Sequence, residues 1–308
     1  MEKIVYLDWN IFQDLIQNRR GEGLKENLDA AKRRGYRVVY SFAHMRDLSR
    51  CGNKVYIEKD LSEVSKLTDN WCVGLKLDED TIECMQYTPK TIIEEIYKQQ
   101  IQSLNTTVSS PYSFPAYSVD VSKISTNNIL TPYLKKSNGV MSEKLLDDIV
   151  KQLYKTIFTD HKIQKQFRDS LAEVVKIGNP SFACFLDLPI YKYLFSSKES
   201  IIENLNDIVN SFLSLSHKTL DNIPFGEKIT TTYNILDFFP VFSERLQKKN
   251  NTNNIATDAE HLLMASDSKY FVCGDNKMFE KAKIVYQAYN IKTKIYKRES
   301  FIQQVTFI

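Results

Sequence analysis

The chain has 308 residues, which is long enough for one large domain or for two ordinary ones. Its content of 43% hydrophobic and 26% charged residues excludes a disordered chain and indicates a soluble globular protein. The net charge of +3 is too small to indicate nucleic-acid binding by itself. The five cysteines are scattered without a Cys-x-x-Cys pair, which argues against a disulfide framework and against a zinc site.

The sequence shows no pattern of secretion or of membrane insertion. Residues 1–3 lead straight into an apolar run without the form of a signal peptide. No apolar run approaches the roughly 20 residues that a membrane-spanning helix needs. Because unpaired cysteines also suit a reducing compartment, we expect a cytoplasmic protein.

In chain order, the first predicted strand covers residues 3–7, and an acid follows it directly. Asp8 ends this run, and Asn10 then leads into a helix with apolar residues at helical spacing. Asp is a favoured helix cap, so Asp8 alone is explained as well by capping as by function. The densest basic group follows, and it includes Arg19, Arg20, Arg33 and Arg34. This group is either a solvated helix face or a rim that contacts phosphates.

A second strand-to-helix unit follows at residues 37–48. Residues 38–40 suit a strand, Ser41 can cap, and the next helix carries His44 and Asp47. Asp47 falls about one and a half turns into that helix, so its side chain can point back over the strand ends. Asp is also a poor helix former, and the residue could simply be exposed.

The middle of the chain has a different pattern. Helical periodicity dominates residues 61–77, 91–104, 142–158, 163–176 and 197–215, whereas residues 105–138 are polar with little periodicity. We therefore predict a mainly helical insertion over residues 51–229, with its two ends close together.

The last strand-to-helix unit begins near residue 255. Thr257 can cap a helix that Asp258 opens, with Glu260 at capping-box distance and His261 beside it. A short buried strand is predicted at residues 270–273. Asp275 and Asn276 follow its end, although an Asp there could also be an ordinary turn residue.

Three strands thus end beside Asp8, Asp47 and Asp275, with Asp258 at the start of a neighbouring helix. Chemistry in open α/β sheets gathers outside the carboxyl ends of the strands. Like charges placed so closely are unfavourable unless a hard divalent cation holds them. The pattern therefore predicts a carboxylate cluster that binds Mg²⁺ or Mn²⁺.

These motifs resemble those of the PIN-domain family of metal-dependent nucleases. They are Leu7-Asp8-Trp9-Asn10, Ser41 to Asp47-Leu48, Asp258 to Ala265, and Val272-Cys273-Gly274-Asp275 with Phe279. Asp47 stands where the family usually has Glu, and Cys273 where Thr is common. The resemblance covers about residues 1–50 and 230–300.

The resemblance implies a three-layer α/β/α sandwich with a short, mainly parallel sheet, formed by residues 1–50 and 230–308. It also implies an endoribonuclease that hydrolyses RNA through Asp8, Asp47, Asp258 and Asp275, which would hold Mg²⁺ or Mn²⁺. Supporting roles would fall to Asn10, Ser41, Glu260 and Asn276, and phosphate contacts to Arg19, Arg20, Arg33 and Arg34. By family analogy the protein would suit a toxin or a defence effector, with RNA as partner. The insertion, which lies outside the resemblance, is a further expected site for a second copy or another protein.

Two other classes of protein remain open at this point. The chain could be a binding module for RNA or protein that has lost catalysis, because Asp47 replaces the longer Glu. It could also be a structure-selective DNA nuclease, since related α/β nucleases use similar carboxylate clusters.

Overall fold

The computed structural model describes residues 3–20, 23–76, 80–103, 116–142, 196–214, 217–239, 241–243 and 252–307, with scattered residues between 144 and 193. The chain forms two compact units. The first, called the sheet unit, comprises Met1–Thr106, Pro224–Asn234 and Ala256–Ile308. The second, called the insertion unit, comprises Thr107–Ile223 and Ile235–Ile255.

The strands and helices are numbered in chain order. The strands are β1 (Ile4–Leu7), β2 (Arg37–Ser41), β3 (Trp71–Lys76), β4 (Thr81–Gln86), β5 (Tyr117–Ser118), β6 (Val140–Met141), β7 (Tyr270–Cys273) and β8 (Lys294–Lys297). The helices are α1 (Trp9–Ile16), α2 (Leu24–Arg33), α3 (Phe42–Ser49), α4 (Lys54–Thr68), α5 (Pro89–Ser103), α6 (Thr131–Lys136), α7 (Lys198–Glu203), α8 (Leu205–Ser214), α9 (Phe225–Leu236), α10 (Thr252–Ala265), α11 (Asn276–Ala288) and α12 (Arg298–Gln304).

The sheet unit is built on a six-stranded sheet in the order β4-β3-β2-β1-β7-β8. Its strands are parallel except β4, which runs antiparallel to β3 at one edge. All four residues of β1 are buried, as expected for the central strand of a parallel sheet covered on both faces. The predicted α/β fold with a mainly parallel sheet is confirmed, and the arrangement is compatible with a three-layer sandwich.

The core of the sheet unit joins the strands to the helices that follow them. Val5, Leu7, Phe12, Val38 and Val272 belong to one buried cluster, in which apolar side chains of β1, β2 and β7 meet the first helix. Burying each such side chain stabilises the fold by about 1.5–3 kcal/mol. The same packing fixes the polar residues that lie just beyond the strand ends.

The sheet unit extends further along the chain than the sequence predicts. The sequence pattern predicts a helical insertion from residue 51, yet α4, β3, β4 and α5 (residues 54–103) all belong to the sheet unit. The predicted helix at 61–77 ends at Thr68, because Asp69 (φ 51°) and Asn70 (φ 62°) adopt left-handed backbone. Such residues end a helix, and the chain then turns into β3, where Cys72 pairs with Tyr40 of β2.

The described part of the insertion unit is a mixture of short elements. Strands β5 and β6 pair antiparallel, and Val119, Ile124, Leu130, Leu134 and Ile149 form a small core. The predicted helix at 197–215 is present as α7 and α8, whereas most of the helices predicted at 142–158 and 163–176 lie outside the described residues. Helix α6 falls inside the passage 105–138.

Within the described ranges, no helix has both the length and the apolar character that crossing a membrane requires.

Candidate functional site

The strand order of the sheet unit changes direction between β1 and β7. From β1 the chain builds outward through β2 and β3 on one side, while β7 and β8 lie on the other. Open α/β sheets bind ligands outside the carboxyl ends of their strands at such a switch point. Asp8 follows β1 and Asp275 follows β7 after one glycine, so both predicted acids lie there.

Asp8 ties the two strands of the switch point together. Its Oδ1 accepts the Ile11 N–H (2.9 Å), which caps α1, and its Oδ2 accepts the Gly274 N–H (2.6 Å) beyond β7. Burial raises the pKa of this carboxyl, although the hydrogen bonds from Gly274 and Ile11 act in the opposite direction. Asp8 is therefore a helix cap and, at the same time, a buried acid whose charge is incompletely compensated.

Two further predicted acids lie near the same point. Asp275 caps α11 by accepting the Met278 N–H (2.8 Å), and Asp258 is a half-buried residue of α10. Burial raises the pKa of the Cys273 thiol well above its ordinary value, and the charges of Asp8, Asp275 and Asp258 raise it further. Three of the four predicted acids thus act electrostatically on the thiol at the end of β7.

The fourth predicted acid has other partners. Asp47 accepts a hydrogen bond from His261 Nε2 at 3.0 Å through Oδ2 and one from Arg50 at 3.0 Å through Oδ1. Both oxygens are therefore engaged within the protein. The Asp47 carboxylate therefore contacts its own helix through Arg50 and α10 through His261.

The four acids do not form a metal centre as they stand. Among the residues that the structure describes, no three His, Cys, Asp or Glu side chains are placed to hold a metal ion. The donor chemistry of Asp8, Asp258 and Asp275 suits a hard cation, but the structure does not assemble their oxygens around one point. Binding of Mg²⁺ or Mn²⁺ stays a prediction, and no catalytic step is derived through an ion.

A buried polar network lies beneath the switch point, and it consists of Tyr6, Ser41, His44 and His261. The Tyr6 hydroxyl is 2.7 Å from Ser41 Oγ and 2.8 Å from His261 Nδ1. The Ser41 N–H donates to His44 Nδ1 (2.9 Å), so Nδ1 is an acceptor. His44 Nε2, 2.7 Å from the Leu7 carbonyl, is then the protonated nitrogen that donates. All four side chains are almost fully buried.

This network explains several residues that the sequence singled out. Ser41 caps α3 together with His44 in a capping box, and His261 extends the network to Asp47. The network joins β1, β2, α3 and α10, so it holds fixed the elements that carry Asp8, Asp47 and Asp258. Sequence reasoning missed Tyr6, because a tyrosine inside a strand run is usually read as core.

The remaining supporting residues are placed as follows. Thr257 is not a helix cap, because α10 begins earlier, at Thr252. The Thr257 hydroxyl instead accepts a hydrogen bond from the Arg50 guanidinium. Glu260 is likewise not a capping-box acid, and it forms an ion pair with Arg46. Asn10 and Asn276 are exposed residues in the first turns of α1 and α11.

A cavity of about 430 Å³ lies at the switch point, and it is called the switch-point cavity. Asn10, Gly274 and Asp275 form part of its wall. Most of the remaining wall is charged, with basic Arg19, Arg20, Lys297 and Arg298 and acidic Asp14 and Glu299. Lys297 donates to the carbonyls of Gly274 and Asp275, so a cation lies at the end of β7. Basic side chains therefore line the cavity beside Asp275.

The predicted basic group is divided between two places. Arg19 and Arg20 line the switch-point cavity. Arg33 and Arg34 are exposed where the chain enters β2, and Lys3, which precedes β1, donates to the Arg34 carbonyl (3.3 Å). Because β1 and β2 are parallel, Arg33 and Arg34 lie at the amino ends of the strands, at the opposite edge of the sheet.

The contacts of Asp47 lead to a prediction about stability. Asp47→Ala leaves the buried His261 Nε2 without its acceptor, so the free energy of unfolding should fall by about 1–3 kcal/mol. Asp47→Asn keeps one oxygen that can accept from His261, and its loss should be smaller. Urea denaturation of the two variants measures the difference. Equal losses in both would show that the His261 contact contributes little.

The fold and the site define an α/β protein whose switch-point cavity is lined mainly by charged side chains. Comparison of the chain with models of protein families, with curated proteins and with solved structures found no match. The resemblance to PIN-domain nucleases therefore still rests on the four motifs.

Proposed function

We propose that the sheet unit cleaves RNA phosphodiester bonds at the switch-point cavity, as a nuclease that depends on a divalent metal. One observation supports this most: Asp8 and Asp275 follow β1 and β7 at the switch point, and Asp275 lines a cavity together with Arg19, Arg20 and Lys297. Basic groups attract a polyanion that the acids alone would repel. A nucleic-acid backbone bound in the switch-point cavity would thus lie beside Asp275.

In this proposal, separate residues bind the phosphates and the metal ion. Arg19, Arg20 and Lys297 would bind phosphates, and Asn10 would orient the one nearest to the carboxylates. Asp8, Asp258 and Asp275 would hold Mg²⁺ or Mn²⁺ after their side chains turn toward a common point. Such an ion, when bound, supplies an activated water and charge stabilisation of the leaving oxygen. Asp47 would act through His261 by holding α3 against α10.

A second candidate function is RNA binding without cleavage. The observation that favours it is that no three metal-ligating side chains stand together in the described part of the chain, with Asp47 already held by His261 and Arg50. The switch-point cavity would then bind RNA through its basic side chains without catalysing cleavage.

A cleavage assay separates the two functions. The full chain is incubated with total RNA and with a matched DNA, with Mg²⁺, Mn²⁺ or a chelator, and the cut ends are mapped. Metal-dependent cuts in RNA support the nuclease, whereas cuts restricted to structured DNA would make it a DNA nuclease. RNA binding without cuts under every condition would leave only the binding module.

The two separated arginine pairs provide a matched test of where RNA binds. Replacing Arg19 and Arg20 by Gln should weaken RNA binding and lower the slope of log affinity against log salt by about 1.4, because each single-strand phosphate contact contributes about 0.7. Replacing Arg33 and Arg34 by Gln removes the same charge from the opposite edge and should have little effect. Filter binding across a salt series measures both. Equal effects of the two double variants would contradict the proposal that RNA binds in the switch-point cavity.

A further inference from the structure

A second cavity in the sheet unit has a volume of about 800 Å³, within the range of about 300–1,000 Å³ typical of ligand pockets. It is bounded by β3, β4, α3, α10 and the start of α9, and it is called the β3 cavity. Its wall is mainly apolar, and Phe42, Leu75, Met85, Leu263 and Met264 form much of it. Flat apolar ligands suit such a wall, and methionine sulfur makes favourable contacts with aromatic rings.

Two aromatic side chains are exposed at this cavity. Tyr87, one of the lining residues, is 48% exposed, and Phe225, between the lining residues Pro224 and Gly226, is 37% exposed. Large aromatic side chains exposed next to an apolar cavity provide surfaces on which planar rings stack. The Tyr40 hydroxyl donates to the Tyr87 carbonyl (2.6 Å), which fixes the backbone at this side of the cavity.

The polar part of the wall is rich in acceptors. Glu260, Glu227 and Asp80 contribute carboxylates, while Arg46 contributes a cation that is paired with Glu260. Asp80 already accepts the N–H groups of Phe225 and Gly226 at the start of α9. A phosphate would be repelled here, whereas an N–H edge would be bound.

We propose that the β3 cavity binds a nucleobase, with its ring between apolar side chains and its N–H edge against Glu260. The assignment of that base to a single-stranded RNA rests on the proposed function. The same helices connect the two places, because α3 carries both Arg46 and Asp47, and α10 carries both Glu260 and Asp258. A single-stranded RNA whose backbone follows the switch-point cavity would place one of its bases in the β3 cavity.

Guanine fits the polar groups best among the four bases. Its Watson–Crick edge presents two adjacent N–H donors, which a carboxylate accepts in a bidentate manner, and its O6 accepts from an arginine. Uracil offers one N–H donor between two carbonyls, and those carbonyls would face the acids. We therefore infer a preference for guanine over uracil.

Gly74 provides a clean way to block the cavity. It lines the cavity, and a Cβ built on it meets no atom within 4 Å, so a larger side chain can enter without a backbone clash. Gly52 has the same open surroundings and is not among the residues of the β3 cavity. Gly74→Phe is thus the test variant and Gly52→Phe its matched control.

The experiment measures binding of guanosine and uridine to the full chain by calorimetry, without metal. Guanosine should bind the unaltered protein and Gly52→Phe equally, and binding to Gly74→Phe should be weaker by about tenfold or more. Absence of guanosine binding, or equal binding by Gly74→Phe, would overturn the proposal.

A second variant tests the polar edge without filling space. Glu260→Gln replaces one acceptor oxygen by a donor, so the preference for guanosine over uridine should fall. An unchanged preference would overturn the assignment of Glu260. Nucleosides carry no phosphodiester bond, so their binding is measured independently of any RNA cleavage. If guanosine binds but RNA is not cut, the proposed nuclease activity is contradicted and the proposed nucleobase site is not.

Discussion

Asp275→Asn should abolish RNA cleavage and leave the fold intact. Asn caps a helix about as well as Asp, so the hydrogen bond from the Met278 N–H to the side-chain oxygen can be kept. The substitution removes the charge from one of the three acids around Cys273. Removing a residue that only orients a metal ligand lowers activity by up to about 100-fold. Because Asp275 is itself a proposed ligand, the cleavage rate of Asp275→Asn should fall by at least about 100-fold. Single-turnover cleavage of a defined RNA measures it.

The same variant has a readout that does not depend on cleavage. Mg²⁺ at 100 times its dissociation constant should stabilise the unaltered protein by about 2.7 kcal/mol, and Asp275→Asn should lose most of this gain. Asp267→Asn, which alters an exposed acid beyond the end of α10, is the control. Full activity of Asp275→Asn, or the same Mg²⁺ shift as in the control, would remove Asp275 from the mechanism. Asp8→Asn is less clean, because both Asp8 oxygens accept backbone N–H groups.

The second large expected effect is a loss of stability in acid that arises from His44. Burial lowers the pKa of this imidazole well below its ordinary value, and the neighbouring His261 lowers it further. In the unfolded chain His44 binds a proton near pH 6.5, whereas in the folded chain it stays neutral to a lower pH. The stability that it contributes is therefore present above about pH 6.5 and is lost as the pH falls.

The expected slope is about 1.4 kcal/mol of unfolding free energy for each pH unit below 6.5, until the folded protein also takes up the proton. Urea denaturation between pH 7.5 and pH 5 measures it. His44→Gln should flatten the profile, because Gln does not titrate. His217→Asn, at an exposed histidine, should keep the profile of the unaltered protein. An identical slope in His44→Gln would show that the acid sensitivity arises elsewhere.

The sequence predicts the strand ends of the switch point well. β1 is a short apolar run followed directly by Asp8, and β7 is one followed by Gly274 and Asp275. Short apolar runs bounded by such residues are typical of buried parallel strands. Asp8 and Asp275 could therefore be placed at the edge of the sheet before the structure was known. The hydrogen bond from the Gly274 N–H to Asp8 could not be predicted, because it depends on how two distant parts of the chain pack together.

Other parts of the sheet unit depend on contacts that periodicity does not report. The exit from α4 depends on left-handed backbone at Asp69 and Asn70, and β3 forms because it can pair with β2 and β4. The two arginine pairs have similar local sequence, yet lie at opposite edges of the sheet. Asp47 has the spacing of a ligand, but its direction is set by His261, which is 214 residues away in the chain.

The position of β1 has a consequence for how the protein folds. One edge of β1 pairs with β2, where Val5 faces Val38, and the other with β7, where Val5 faces Tyr270. The hydrogen bond between Asp8 and Gly274 spans 266 positions of sequence, so the sheet unit combines local contacts with very distant ones. Distant pairings raise the contact order and slow folding. During synthesis the central strand therefore keeps an open edge, which can pair with other chains, until β7 has emerged from the ribosome. The site at the switch point is consequently among the last parts of the sheet unit to form.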